Sequence, residues 1–500
     1  MAENAELMKL QNGSDVRGVA STGVEGENVN LTEEAANRIA SGFVRFLEKK
    51  TGKSADKLKV MVGHDSRITA DKLKNAVIEA LTAHGVHAFD SGLSSTPAMF
   101  MSTVFEDTLM DGAVMITASH LPFNRNGLKF FTPDGGAEKQ DITEILKTAS
   151  ECEVQRGDIS KAEKYELIER YSAHLREKIS TALGGADAPL KGMRIVVDAG
   201  NGAGGFFATK VLTPLGADTD GSQFLEPDGM FPNHIPNPEN KEAMEAIRKA
   251  VLSSGADLGL IFDTDVDRMS AVLPDGEEVN RNALIAMMAA ILAPDYPGST
   301  IITDSVTSDE LTEFLTGELK LKHHRFKRGY KNVINECIRL NKEGEVSPLA
   351  IETSGHGALS ENYYLDDGAY LAVKLVIAAA KAKRDGAELG SLISGLKSPA
   401  EAREYRIKIM LEDGFKEYGT EVLDKFKERA VSEGIQLAEP SYEGVRLKFE
   451  DGWALLRLSL HDPVMPLNIE SSRAGGLETI ADRVRGLLKG FDRLSGGILD

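Results

Sequence analysis

Cysteine is nearly absent: the 500 residues hold two, Cys152 and Cys337. They stand in no metal-ligand spacing and build no disulfide framework, which fits a reducing compartment. Long hydrophobic runs are missing as well. The longest, Ala283 to Ala293, falls far short of a membrane span and reads as a buried helix. The first residues, Met1 to Glu6, are acidic and lack the basic and apolar regions of a signal peptide. These features predict a soluble cytoplasmic protein, or a resident of a plastid or other organelle once a transit peptide has been removed. Positive charge is in deficit: Lys+Arg number 58 against 77 Asp+Glu, a net charge of −19. A surface of that sign repels phosphate backbones and anionic lipid, so neither a nucleic acid nor a membrane is the expected partner. An anionic small molecule would need a locally positive pocket.

What is present is an ordinary globular composition, 42% hydrophobic and 27% charged. At roughly 100–200 residues per domain the length predicts about three or four domains with clefts between them. Strand-like runs alternate with helical stretches: Lys59 to Gly63 before a helix from Asp71 to Ala83, then Met110 to Thr117, Met193 to Val197, Leu258 to Phe262 and Thr300 to Thr303. Alternation of this kind predicts α/β units with mixed, mostly parallel sheets, whose chemistry gathers in loops leaving the carboxyl ends of strands. A long charged helix is expected from Ile159 to Thr181, followed by a linker at Leu183 to Gly192. Further seams fall at Pro294 to Gly298 and near Ser398-Pro399. Beyond them the pattern changes to a helix from Lys416 to Glu433, an antiparallel pair at Val445 to Phe449 and Trp453 to Leu460, and a helix from Leu477. The expected domains are therefore three α/β units, 1–185, 186–296 and 297–398, and a smaller α+β unit, 399–500.

Four segments could carry chemistry. Thr117 to Lys129 follows a strand and holds Ser119 and His120 on a Pro-Asn-Gly turn. In an extended segment these neighbours point to opposite sides, so they make no nucleophile–base pair, and read alone the pair suits a plain loop. Lys129 could serve as an acid or base if desolvated. Asp263, Asp265 and Asp267 stand at alternate positions after a strand and repel one another unless a cation sits among them. An EF-hand fails, because its sixth position is Arg268 and its twelfth Pro274; hard oxygen ligands at a strand end suit Mg²⁺, or the segment is a solvated acidic turn. Glu352, Ser354 and His356 alternate in a third segment and could read sugar hydroxyls, or make a turn. Arg457 and Ser459 precede a turn in the last domain and could hold an anion, or form a surface strand end.

Taken in order, these segments resemble the α-D-phosphohexomutases, the phosphoglucomutase/phosphomannomutase family. The family's T-A-S-H-N-P, D-G-D-x-D-R, G-E-x-S-G-H and R-x-S-G-T-E-P loops appear as TASHLP, DTDVDR, IETSGH and RLSLHDP. Supporting stretches match at Gly13 to Gly18, Gly63 to Arg67, Pro227 to Pro238 and Gly329 to Lys331, so the resemblance runs from about residue 13 to about 470. Departures are Leu121 in the serine loop, Thr264 in the metal loop and Leu460-His461 in the phosphate loop.

The resemblance implies four domains around a central cleft and interconversion of hexose 1- and 6-phosphates through a bisphosphate. Ser119 would carry the phosphoryl group, with one Mg²⁺ held by Ser119, Asp263, Asp265 and Asp267. Arg17, His120 and Lys129 would form the catalytic group with Arg268 in support, and glucose 1,6-bisphosphate would be the activator. Glu352, Ser354, His356, Lys331, Arg457 and Ser459 would bind the phosphosugar. The altered fourth loop also admits a glucose-1,6-bisphosphate synthase or a non-catalytic sugar-phosphate sensor. Substitute phosphate donors are expected at Ser471 to Gly476, before a helix, unless that stretch is only a cap.

Overall fold

A computed structural model describes residues 6–411, 413–459 and 462–499. The chain divides into two compact units, one formed by Met1–Leu284 with Ser354–Ser391 and the other by Ile285–Thr353 with Leu392–Asp500.

The first unit is built on two sheets. In the larger, the strand Lys59–His64 lies parallel to His87–Leu93 and to Gly112–Ile116, and Gly112–Ile116 pairs antiparallel with Arg125–Thr132. Asp15–Val19 extends that edge antiparallel, with Arg17 opposite Gly127. Lys59–His64 and Gly112–Ile116 are buried over most of their length because both faces are covered, while His87–Leu93 is more polar and partly exposed. Side chains alternate along Arg125–Thr132: Leu128 and Phe130 enter the core with Phe43 and Val114, which leaves Lys129 for the opposite face. The helix Glu33–Thr51 closes that core; Thr32 caps it by accepting from the Ala35 N–H, and Gly52 ends it. Each fully buried side chain of this kind contributes roughly 1.5–3 kcal/mol.

The charged helix starts later than the periodicity suggests, at Leu167, and ends at Ala182. Ile159–Lys161 is instead a short 3₁₀ turn, and Glu163–Lys164 is spent as a parallel edge strand against Phe89 and Asp90. In the second sheet Ile195–Asp198 runs parallel to Leu258–Phe262, which turns back antiparallel into Met269–Val272. The connection of that hairpin is the segment of three aspartates.

Helix Leu167–Ala182 also anchors Gly368–Arg384. The Tyr171 hydroxyl donates to both oxygens of Asp367, at 2.7 and 2.6 Å, and Asp367 caps the second helix by accepting from the Tyr370 N–H. Burial pushes Asp367 up to about 6 from 3.8, so its native state prefers the proton and stability declines as pH rises from about 4 to about 6. Removing the Tyr171 donor hurts the ionised carboxyl most. Tyr171→Phe should cost about 1–3 kcal/mol at pH 8 and less at pH 5, read by chemical denaturation; an equal loss at both pH values would contradict this account.

In the second unit Thr300–Thr303 is flanked in parallel by Lys322–Arg325 and Leu349–Ile351. Its remaining sheet is antiparallel throughout: Val445–Phe449 pairs with Gly452–Leu456, then Val464–Ser471, then Glu401–Ile409. The helices Phe415–Ser432 and Gly476–Leu488 cover it, with Phe426, Ile480 and Val484 in the core. The apolar run at 283–293 forms the helix Arg281–Leu292, and no helix among the described residues is long and apolar enough to cross a membrane.

Candidate active site

The serine loop leaves the strand Gly112–Ile116 and returns at Arg125. Ser119 is not extended. Its φ of 51° places it in the left-handed region, stabilised by its N–H donating to Thr117 Oγ1 at 2.9 Å. The expectation that Ser119 and His120 face opposite sides fails for this reason: His120 Nδ1 lies 3.4 Å from Ser119 Oγ. Arg268 joins the two, its Nη2 donating to Oγ at 3.0 Å and to His120 Nδ1 at 2.6 Å. Burial, with Arg268 and Arg17 nearby, pushes His120 down to about 2, so it stays neutral and offers Nδ1 as an acceptor.

The aspartate loop meets the serine directly, Ser119 Oγ donating to Asp263 Oδ2 at 2.9 Å. Lys129 Nζ bonds Asp267 and lies 3.1 Å from Asp265, so its ammonium is held between two carboxylates. Arg17 donates to the Ala118 carbonyl at 3.4 Å and to Asp15 at 2.9 Å. His356 Nδ1 donates to Asp366 at 2.6 Å and stands 3.9 Å from Asp267. Ser354 is buried, and the neighbouring Gly355 carbonyl accepts from the Met269 N–H. Ser119, His120, Lys129, the three aspartates, Arg268 and His356 are thus gathered within one unit.

The aspartates suit a divalent cation. All three are buried, and one oxygen of each lies within 4.8 Å of the others. Asp265 Oδ1 and Asp267 Oδ1 are buried without a hydrogen-bond partner, an expensive condition for carboxylate oxygens unless a cation satisfies them. Burial and repulsion from Asp267 and Asp265 drive Asp263 well above the usual carboxylate range. Burial also opposes ionisation of Asp267, but Lys129, His356 and Arg268 outweigh it and hold that group low. An all-oxygen donor set fits Mg²⁺.

In the second unit Glu352 Oε1 accepts from the Gly329 N–H at 2.6 Å, two residues from Lys331, and Thr353 bonds Asp304. Arg457 is buried, its Nε has no hydrogen-bond partner, and the Glu404 carboxylate is 3.9 Å away. Burial lowers the proton affinity of Arg457, as does the charge of Arg328, against the opposing charge of Glu443. Ser459 follows on the same loop, its Oγ accepting from the Asp462 N–H at 3.2 Å. Leu460 and His461 lie outside the described residues. The proposed substitute donors before Leu477 are already engaged: the Gly475 and Leu477 N–H groups both donate to the Glu401 carboxylate at 3.0 Å. An internal carboxylate fills the helix terminus that an external phosphate would need.

Three contributors escape a reading of motifs alone. Thr96 bonds Asp265 through both its hydroxyl and its N–H, and only its place at the start of a helix after a strand, in Ser94 to Pro97, hints at it. Asp366 fixes His356 from ten residues away. Arg67 donates to the carbonyls of the serine loop.

Residues 8–155, 169–276 and 280–395 match the phosphoglucomutase/phosphomannomutase alpha/beta/alpha domains I, II and III respectively. The chain is 30% identical over 427 residues to a phosphomannomutase/phosphoglucomutase of Pseudomonas syringae pv. tomato, covering 84% of this chain and 85% of that protein. A phosphoglucomutase of Neisseria gonorrhoeae is 26% identical over 95% of each chain. Among solved structures, a phosphoglucomutase/phosphomannomutase family protein from Burkholderia thailandensis superposes with a TM-score of 0.78 at 25% identity, covering 98% of both chains. With three consecutive domains matched over most of its length and the serine and aspartate loops in contact, this chain belongs to the phosphoglucomutase/phosphomannomutase family of α-D-phosphohexomutases.

Proposed function

We propose that this phosphohexomutase interconverts the 1-phosphate and 6-phosphate of glucose, mannose or both, with Ser119 as the phosphoryl carrier. The observation that supports this most is the surroundings of Ser119 Oγ: it donates to Asp263 at 2.9 Å and accepts from Arg268 at 3.0 Å, beside a lysine held by two aspartates. Phosphoryl transfer demands positioning and charge neutralisation more than covalent help, and these groups provide both.

The free hydroxyl of a bound hexose phosphate would attack the phosphorus of phosphoserine 119, lose its proton and form a bisphosphate as the P–Oγ bond breaks. The Lys129 ammonium would protonate the departing Oγ, and the amine it leaves would take the proton that the sugar hydroxyl loses; when Oγ attacks the other phosphate the same exchange would run in reverse. Arg268 and Arg17 would counter the charge of the transferring group, while neutral His120 fixes the Arg268 guanidinium through Nδ1. Mg²⁺ on Asp263, Asp265, Asp267 and Ser119 would supply further neutralisation of the phosphoryl oxygens. Glu352 and Ser354 would read ring hydroxyls, His356 and Lys331 would also contact the sugar, and Arg457 with Ser459 would hold the phosphate that does not react. Such positive groups would give the anionic substrate a local field despite the net charge of −19.

Glucose 1,6-bisphosphate would activate by returning dephosphorylated Ser119 to the phosphorylated state. Steady-state conversion of glucose 1-phosphate and mannose 1-phosphate, with and without added glucose 1,6-bisphosphate, tests the reading. Turnover of at least one sugar that rises on adding bisphosphate is expected; no conversion of either in the presence of Mg²⁺ would refute it.

A further inference from the structure

The stretch Pro227 to Pro238 carries none of the chemistry above, yet it touches the supports of both reacting loops. On one side is Arg67, whose side chain is fully buried beside Asp65. Its guanidinium donates to the Pro122 and Arg125 carbonyls at 2.8 and 2.9 Å and to that of Leu121 at 2.6 Å, and it also bonds the carbonyl of Ser119 itself. Four carbonyls of one loop thus converge on one planar cation, an arrangement that a single ammonium could not reproduce. The Phe231 ring centroid lies 5.4 Å from the Arg67 guanidinium carbon. Gly229 packs on the backbone of Ser66 to Ile68 so closely that a Cβ there would sit 2.5 Å from the Ile68 nitrogen and 2.6 Å from the Ser66 carbonyl oxygen.

On the other side the same stretch grips the support of the aspartate loop. Asn233 donates to the Asn201 side chain at 2.8 Å, and the Asp228 N–H donates to the Asn201 carbonyl at 2.9 Å. His234 Nε2 bonds Asp198 at 3.0 Å, and Asp198 also accepts from the Gly200 N–H. Two residues on, Ala203 donates its N–H to the Thr264 carbonyl at 2.8 Å, and a Cβ on Gly202 would lie 2.7 Å from that same oxygen. Thr264 sits between the metal-ligand candidates Asp263 and Asp265.

We infer that residues 227–238 brace the serine loop against the aspartate loop, with Arg67 as the positioning residue through which Phe231 and Gly229 set the placement of Ser119 relative to Asp263. This rests on the reading of Ser119 as phosphoryl carrier. Transfer rates respond steeply to such placement, a shift of about 1 Å costing on the order of 10²-fold. None of the contacts above involves a proposed substrate ligand, so the brace should act on turnover rather than on sugar binding.

The test uses the full chain with Mg²⁺ and glucose 1,6-bisphosphate and compares Arg67→Lys, Phe231→Ala, Gly229→Ala and Phe231→Tyr. Arg67→Lys should lower kcat by about 10²-fold and the two brace variants by about 10-fold, with KM for glucose 1-phosphate within about 2-fold of wild type. The hydrolysis rate of phosphoserine 119, followed by intact mass, should change in the same variants. Phe231→Tyr, which keeps a ring against the guanidinium, should restore wild-type kcat. Because Arg67→Lys could fail to fold, the partly exposed Phe231 carries the decision. A folded Phe231→Ala and Gly229→Ala pair with wild-type kcat and phosphoserine lifetime, in a wild type that does carry phosphate on Ser119, would overturn the brace alone. A turning-over wild type with no phosphate on Ser119 would overturn the carrier assignment, and the brace with it.

Discussion

Ser119→Ala should lose mutase turnover by at least roughly 10⁴-fold, because the phosphoryl group then has no protein oxygen to occupy between its two sugar positions. The effect should fall on kcat. The groups proposed to hold the sugar, Glu352, Ser354 and Arg457, are untouched by the change, so binding of a hexose phosphate should persist within a few-fold. Protein purified in active form should carry about one phosphate, mapped to Ser119 by peptide mass spectrometry and absent from Ser119→Ala. The alanine should fold, since Ser119 contributes a small side chain whose hydrogen bonds go to Asp263, Arg268 and His120 rather than to the core. Loss of turnover with unchanged phosphate content would place the carrier elsewhere. Full activity without the hydroxyl would end the phosphoserine mechanism.

The parts of this site that could be read in advance are those written in local sequence. Leu258–Phe262, Thr300–Thr303 and Val445–Phe449 fall where their β-type runs, bounded by polar turns, put them. Three aspartates at alternate positions suggest a cation because they repel one another, and the fold does bring one oxygen of each within 4.8 Å of the others. The left-handed backbone of Ser119 carries no such mark: serine seldom adopts it, and the loop that holds it there binds its own carbonyls to Arg67, 52 positions away. Thr96 is likewise invisible, since its bond to Asp265 spans 169 positions and depends on how two sheets meet. The helix start at Leu167 rather than Ile159 follows from an edge strand of two residues, too short to show a period. The terminus before Leu477 suits a plain cap or an anion site from its own residues, and only the register of Glu401 opposite Ser471 reveals that a carboxylate of the chain is already there.

Asp265→Asn should reduce kcat by roughly 10²-fold or more, the scale of losing one preorganised electrostatic partner of a transferring group. Asp265 has two jobs that one change removes. Its Oδ2 accepts from the Thr96 hydroxyl and lies 3.1 Å from Lys129 Nζ, helping to hold the ammonium between two carboxylates. Its Oδ1 is buried without a partner, the oxygen most in need of a cation. An amide keeps the shape but brings no charge, so the variant should need more Mg²⁺ for half-maximal rate while KM for the hexose phosphate stays within a few-fold. Asp267 would retain its bond to Lys129, which separates the effect from simple collapse of the lysine's position. A second signature is thermal: wild type should gain in melting temperature on adding Mg²⁺, through preferential binding to the folded state, and Asp265→Asn should gain much less. Chelator should abolish wild-type turnover and remove that gain. Near-normal turnover of Asp265→Asn in excess chelator would show that the three aspartates serve the fold alone, and that neutralisation of the phosphoryl group falls to Lys129, Arg268 and Arg17.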